Sequence, residues 1–346
     1  MKRHPVTIKD IARQLNVSVA TVSRALRGLP DIHPDTRQAV LTLAQEWDYQ
    51  PNQLATSLVK SRTRTIGIIA PNLGYYFFST AVHGIEEVAY AAGYSVLLTQ
   101  SKESYQRELT NLQDLARGQV DGLIVSISRE TSDYEHFTKL QRRGVPLVLF
   151  DRDCEALDVS KVLIDNHAAA YEATDHLLTN GCRRVALLAG PAYLSLTSQR
   201  RRGYLDALAA HGLPADESLV AYGDYSQTNA VELTHRLMSL PNPPDGLLAL
   251  SDRIAVGALI ALKERGVRLP DEVALVGFNN EPLNALLTPS LTSVAQPAEE
   301  IGREAARLLI AQLESPQPVP PVVLILPTYL VVRESSQKTV SVGLRA

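Results

Sequence analysis

No apolar run in the sequence approaches the ~20 residues needed to cross a bilayer, so no membrane span is expected. The opening Met1-Lys2-Arg3-His4 leads into an amphipathic stretch rather than the continuous apolar segment of a secretory signal, which points to a cytoplasmic protein. Cysteine is nearly absent. Cys154 and Cys182 are far apart and lack metal-ligand spacing, which excludes a disulfide framework and a cysteine metal site and suggests reduced, buried thiols. Also missing are a phosphate loop, a dinucleotide fingerprint, a Gly-x-Ser-x-Gly elbow and a His/Glu metal pair. The eight histidines are scattered. Nothing asks for catalysis, so the chain is not expected to be an enzyme or to need a cofactor or metal.

The 346 residues suffice for two or three domains. The net charge of -3 conceals a division. Residues 1–64 contain ten Lys/Arg and five Asp/Glu, a net +5, which leaves -8 on the remainder. A small basic segment on an acidic body suits a nucleic-acid-binding module fused to something that should not bind nucleic acid. Chance variation of surface charge would give the same numbers, so the division needs support from pattern.

Residues 1–50 supply it. Ile8, Ile11, Ala12 and Leu15 recur at i, i+3, i+4, i+7, which predicts a helix over about 7–14 ended by Asn16. Ser18 stands where an N-cap belongs, with Thr21 three residues on, and Val22, Ala25 and Leu26 give a second helix its inner side before Gly28-Leu29-Pro30. Pro34 opens a third helix with the stripe Val40, Leu43, Ala44, Trp47. Three short helices with a tight first turn make a helix-turn-helix unit. Its second helix presents Val19, Ala20, Ser23, Arg24 and Arg27 outward, toward a major groove. Arg24 could donate two hydrogen bonds to one guanine, while Val19 and Ala20 offer only apolar contact, for example to a thymine methyl. A three-helix packing module that binds no DNA is the plainer alternative.

Thr7-Ile8-Lys9-Asp10-Ile11-Ala12, Val17-Ser18, Thr21-Val22-Ser23-Arg24-Ala25-Leu26 and Tyr49-Gln50-Pro51-Asn52, at this spacing, resemble the lactose/galactose repressor family, and the resemblance runs through nearly the whole chain. It implies a DNA-binding transcriptional regulator, a repressor, on a palindromic operator. By position Val19, Ala20 and Arg24 match the family's operator-reading residues, with Thr7, Ser18, Thr21 and Ser23 around them. His33 stands before Pro34 where the family often has Ser, which weakens the expected cap. Residues 51–64 form a linker whose stretch 52–59 is helix-compatible but too short to be stable alone. The resemblance makes it a hinge helix that enters the minor groove, with Asn52, Gln53 and Ala55 as contacts and Leu58 wedged between base pairs. A plain linker remains the alternative. A hinge that orders only when two bodies hold two copies correctly would be the switch.

From residue 65 to about 338, apolar runs at 65–71, 95–100, 122–126, 146–151, 161–165, 184–190, 246–250 and 273–278 alternate with helix-patterned segments. That is the pattern of parallel sheets covered on both faces, and eight such runs suit two doubly wound α/β lobes. The expected division is lobe 1 at about 65–162 and 292–322, lobe 2 at about 163–291 and 323–338, and a tail at 339–346. Several crossings between lobes would allow closure over a ligand. Ligands in such sheets bind beyond the carboxyl ends of the strands. The positions there are Asn72 with Tyr75–Phe78, Gln100-Ser101, Asp151, Asp165-Asn166, Gly190, Ser251-Asp252-Arg253 and Asn279-Asn280. Amides, carboxylates, hydroxyls and aromatics converging there suit a sugar or, second, a nucleoside. Taken singly, several could be caps, Asp252 and Asp165 among them.

The resemblance implies a periplasmic-binding-protein-like body in which Arg200 grips the effector. Phe77, Phe78, Asp151, Tyr225, Ser251, Arg253 and Gln296 match other pocket-lining positions. One departure stands out. Val276-Gly277-Phe278 is followed by Asn279-Asn280 where the family often has Asp, and a neutral amide argues against a ligand that needs a carboxylate there. A palindromic operator requires a homodimer at least, and the resemblance puts its surface near helix 79–92 and on lobe 2. Residues 335–346 show no a/d repeat for further assembly. A solute-binding transport protein would share the body, but it would need an export signal and would not carry a basic helix-turn-helix.

Overall fold

The computed structural model describes residues 6–49 and 62–338. The hinge positions Asn52, Gln53, Ala55 and Leu58, and the tail 339–346, lie outside the described residues. The chain divides into two units between Thr63 and Arg64.

Among the described residues, the first unit contains three helices, α1 (Ile8–Gln14), α2 (Val19–Leu26) and α3 (Pro34–Glu46). Asn16 ends the first by turning left-handed at φ 52°, and Gly28 does the same after α2 at φ 72°. Ser18 Oγ accepts the Thr21 N–H at 3.0 Å and so caps α2. His33 caps α3 only weakly, its Nδ1 lying 3.4 Å from the Asp35 N–H. The core is small: Ile11, Ala12, Val22, Ala25, Val40 and Ala44 are buried, with Leu15, Leu43 and Trp47 partly so around them.

The second unit contains two six-stranded sheets. Lobe 1 is built on β1 (Thr65–Ala70), β2 (Ser95–Gln100), β3 (Gly122–Val125), β4 (Leu147–Phe150) and β5 (Ser160–Ile164), with helices α4 (Tyr76–Ala91), α5 (Tyr105–Ala116) and α6 (Glu135–Arg142). Lobe 2 follows with α7 (Asn166–Thr179), β6 (Val185–Ala189), α8 (Ser195–Ala210), β7 (Val220–Tyr222), α9 (Gln227–Met238), β8 (Gly246–Ala249), α10 (Asp252–Glu264), β9 (Ala274–Asn279) and β10 (Thr292–Ala295). The chain then returns to lobe 1 as α11 (Ala298–Glu314) and β11 (Val323–Leu326), and ends in lobe 2 with β12 (Tyr329–Val331). Strand orders are β11-β5-β4-β3-β1-β2 and β12-β10-β9-β8-β6-β7. Every pairing is parallel except β10 with β12. The central strands are buried along their length, as sheets covered by helices on both faces require.

The lobe boundaries differ from the sequence expectation. Residues 292–295, expected in lobe 1, pair with β9 in lobe 2, and 323–326, expected in lobe 2, pair with β5 in lobe 1. The crossings therefore fall near 165, at 296–297 and at 327–328. β11 is a half-exposed edge strand, and β10 is buried but begins Thr-Ser, so neither stands out in hydropathy and only pairing reveals which sheet holds each.

Both lobes use one device to bring helices close. A Cβ at Gly84 would lie 2.1 Å from the Glu299 carbonyl oxygen, and one at Gly302 1.9 Å from that of Ala81, so α4 and α11 meet backbone to backbone. In lobe 2, a Cβ at Gly203 would lie 2.1 Å from the His167 oxygen, which sets α8 equally tightly on α7.

Candidate functional site

The first unit presents the outer face of α2. Val22 and Ala25 are inward, while Val19, Ala20 and Arg24 are exposed and Ser23 and Thr21 half-buried. Arg24 Nη1 lies 3.4 Å from Asp31 Oδ2, both side chains half exposed. A surface ion pair of this kind is worth ~0–1 kcal/mol, against ~1–3 kcal/mol for a two-bond contact to guanine, so a base edge can take Arg24 from Asp31. Thr7 opens α1 in a reciprocal cap: its N–H and hydroxyl both donate to Asp10 Oδ2, at 3.0 and 2.6 Å. The Thr7 hydroxyl bond, then its N–H, hold the Asp10 carboxyl below its ordinary pKa. Ser18 is both exposed and the α2 cap.

In the second unit, a cleft opens between the lobes beyond the carboxyl ends of the strands, enclosing about 700 Å³ counted out to its mouth. Arg200 anchors it. The residue lies one turn before Gly203, and the close α7–α8 contact brings Asn166 within reach: Asn166 Oδ1 accepts from Arg200 Nε at 2.8 Å. The Leu250 carbonyl, at the end of β8, accepts from Nη1 at 2.9 Å. The guanidinium stacks on Phe278, 3.7 Å from the ring centroid. Only 4% of Arg200 is exposed. Burial lowers its pKa, with Tyr225 and Asp151 opposing, yet a guanidinium stays charged. Nη2 takes no part in these bonds.

Asp151 follows β4 on the lobe 1 side, and burial pushes its carboxyl up against the pull of Arg152 and Arg200. Arg152 is committed elsewhere: Glu103 receives its two N–H groups at 2.7 and 2.8 Å, and the Ile127 carbonyl a third at 2.7 Å. Burial would raise the Glu103 carboxyl, but the paired guanidinium outweighs it and holds it below the ordinary range. Arg129 Nη1 reaches across the lobes to the Asp224 carbonyl at 2.7 Å.

On the lobe 2 side, Tyr225 lies directly on Gly190, where a Cβ would come within 2.1 Å of its ring. Gln296, at a lobe crossing, donates from Nε2 to Asn279 Oδ1 at 2.6 Å. That bond leaves the Asn279 amide N–H groups as donors, and Gln296 Oε1 as a buried acceptor with no partner among the described residues. Asp151, Tyr225 and Asn279 have φ of 67°, 66° and 115°, and non-glycine residues in such strained backbone concentrate where a site is held in shape.

A model of bacterial regulatory proteins of the lacI family matches residues 7–52, and one of a periplasmic binding protein-like domain matches 174–336. HTH-type transcriptional repressor CytR of Escherichia coli strain K12 is 35% identical over 308 residues, 89% of this chain and 90% of that one. Catabolite control protein A of Priestia megaterium is 33% identical over 305 residues, 88% of this chain and 91% of its own. This chain belongs to the lacI family. It is a DNA-binding transcriptional regulator with a helix-turn-helix and a periplasmic-binding-protein-like body. A solved complex of transcriptional regulator CelR with cellobiose superposes with a TM-score of 0.74 at 33% identity, covering 95% of this chain and 99% of that one.

Of the effector positions expected from sequence, the lacI-family cleft brings together Phe77, Phe78, Asp151, Arg200, Tyr225, Ser251, Arg253, Asn279 and Gln296. Asn72 is a correction. It does not line the cleft, because its Oδ1 accepts the Gly74 N–H at 2.9 Å and serves the turn into α4. Asp252 is not a cap. Ser251 caps α10 through the Ile254 N–H at 3.2 Å, and Asp252 is buried, accepting from Ser293 Oγ at 2.6 Å and the Glu281 N–H at 2.7 Å. Burial raises its carboxyl above the ordinary range against those bonds. Asp165 does cap α7, through Ala168 at 2.8 Å. Sequence reasoning missed Glu103, Arg129, Arg152 and Glu281. All four lie in loops within four residues of a strand end, so a wider window past each strand would have found them.

Proposed function

We propose that the cleft binds a sugar and that this binding sets the affinity of the helix-turn-helix for a palindromic operator. The buried Arg200, stacked on Phe278 and opposite Asp151, carries the reading: donors and a carboxylate fixed in an apolar wall suit the vicinal hydroxyls of a sugar. The sugar complex of CelR supports it by likeness. A ligand held by both lobes would bias their closure, and through it the pose of two hinges.

The protein acts by binding rather than catalysis: the arginines of the cleft are held by fixed partners, Arg152 by Glu103, Arg200 by Asn166 and the Leu250 carbonyl, and Arg129 by the Asp224 carbonyl. It works as a homodimer in the cytoplasm. No helix of the described residues is long and apolar enough to cross a membrane. Tyr90 on α4 and Leu97 and Leu98 on edge strand β2 are exposed apolar groups suited to a dimer surface.

A thermal-shift screen of sugars and nucleosides tests the reading, because a ligand that binds the native state raises its melting temperature. A sugar is expected to stabilise the protein and change its mobility shift on a palindromic duplex. Arg200→Ala is expected to abolish both responses and keep operator binding. A shift undiminished in that variant removes Arg200 from the site, and no preference for a symmetric duplex over random sequence removes the regulatory reading.

A further inference from the structure

We propose that Arg129 is a clasp between the lobes, holding the cleft closed through protein atoms alone and so setting how readily the body opens to its effector. This rests on the reading that closure of the cleft is what the effector controls. Arg129 Nη1 donates to the Asp224 carbonyl on the opposite lobe at 2.7 Å, joining loops 95 residues apart in the chain.

The place of this bond gives it leverage. One lobe crossing follows β5, one follows β10, and one joins β11 to β12. β5 and β11 are neighbours at one margin of the lobe 1 sheet, and β10 and β12 at one margin of the lobe 2 sheet. The lobes are thus hinged along one side. Arg129 follows β3, inside the lobe 1 sheet, and Asp224 follows β7, at the lobe 2 margin furthest from the crossings. A bond far from a hinge resists opening more than one beside it, because the same rotation moves its ends further apart.

Both ends of the clasp are tied down. The Arg129 N–H donates to Glu103 Oε2 at 2.8 Å, the Ser128 N–H to Glu108 Oε2 at 2.5 Å, and the Ile127 carbonyl accepts from Arg152 Nη1 at 2.7 Å. Three successive residues are therefore fixed to lobe 1. On lobe 2, Asp224 Oδ1 accepts the Ser226 N–H at 2.8 Å, the Asp224 N–H donates to Asn229 Oδ1 at 3.3 Å, and Tyr225 is left-handed at φ 66°. Hydrogen bonding from Ser226, with the Arg129 charge added, holds the Asp224 carboxyl below its usual range against burial. Arms fixed in this way make the bond at one lobe separation and lose it at a wider one. A weaker contact acts beside it: Arg253 of α10 lies over the ring of Tyr75, which precedes α4, 5.2 Å from the centroid. With closure favoured before a ligand contributes, the closed cleft is populated more often and a ligand meets less of the closing cost.

Spin-label distance measurements on the full chain test this with no ligand added. Labels go on Ser132→Cys and Thr228→Cys, exposed positions close to Arg129 and to Asp224. Cys154 and Cys182 are buried and stay unlabelled. Labelled chain is diluted into unlabelled chain, so that only separations within one protomer are read. The parent is expected to give one narrow separation. Arg129→Met, which keeps the backbone ties of the loop and most of the side-chain stem, is expected to broaden the distribution and lengthen its mean by more than about 2 Å. Arg253→Met, which removes only the ring contact, is expected to lengthen it by less. The clasp is overturned if Arg129→Met gives the distribution of the parent, or if Arg253→Met opens the lobes more than Arg129→Met does. No sugar enters the experiment, so either outcome is read independently of whether a sugar binds.

Discussion

The helix-turn-helix unit and the two-lobed body solve recognition in opposite ways. The first exposes Val19, Ala20 and Arg24 on one eight-residue helix and uses six buried side chains to hold that helix in place. The body sets its cleft residues between two lobes, most of them half-buried and Arg200 fully so, and draws them from separate segments between Tyr75 and Gln296. A surface reader needs only a correctly aimed helix, because the duplex supplies the complementary shape. A cleft must supply its own shape, so it depends on backbone strain, close helix contacts and ion pairs made over long sequence separations.

The largest expected effect breaks the body's shape while sparing the reading helix. Gly302→Leu should push α11 off α4 and cost more than ~3 kcal/mol, because the new side chain meets the Ala81 backbone rather than a movable side chain. Calorimetry should show the main melting transition fall by several degrees. An unchanged transition would mean that the two helices do not depend on their close approach.

Arg24→Ala tests the opposite case. It should weaken operator binding by about ten- to a hundredfold and leave the body's melting and sugar response alone. Arg24→Lys should not restore the loss, since a lysine cannot make the two-bond contact. Restoration by lysine in a mobility-shift titration would reduce Arg24 to a phosphate contact.

Ser18→Ala sharpens the comparison by separating cap from contact. Loss of the cap should cost the first unit ~1 kcal/mol, readable by amide hydrogen exchange in α2 with no DNA present. Exchange unchanged from the parent would make Ser18 purely a DNA contact.

The smallest effect concerns pH. The Asp10 carboxyl is held below its ordinary range by Thr7, so its contribution is complete above the unfolded pKa and is lost as pH falls through the lower folded value. Exchange protection of α1 should therefore decline on acidification. Asp10→Asn should flatten that decline, and a parallel decline in the variant would assign the effect to another group.

Legibility differed between the two units for the same physical reasons. Helix spacing, the Ser18 cap and the stop at Asn16 are local, and a local pattern survives in a linear string. The alternation of apolar runs and helices exposed the doubly wound architecture, and the rule that ligands gather past strand ends reached Asp151, Ser251 and Asn279. The same rule misplaced Asn72, because one amide hydrogen bond to Gly74 outweighs nearness to the cleft. It also passed over Arg152, whose role comes from Glu103, 49 residues away.

The order of residues by itself determined the helix-turn-helix, the parallel sheets and the presence of a polar cleft, because periodicity, caps and turns act over a few residues. Tertiary structure alone decided which lobe owns 292–295 and 323–326 and which residues line the cleft. It alone decided that Arg200 is buried, stacked on Phe278 and held by Asn166. Those outcomes depend on pairing energies and close contacts between segments far apart in the chain, and no local pattern encodes them.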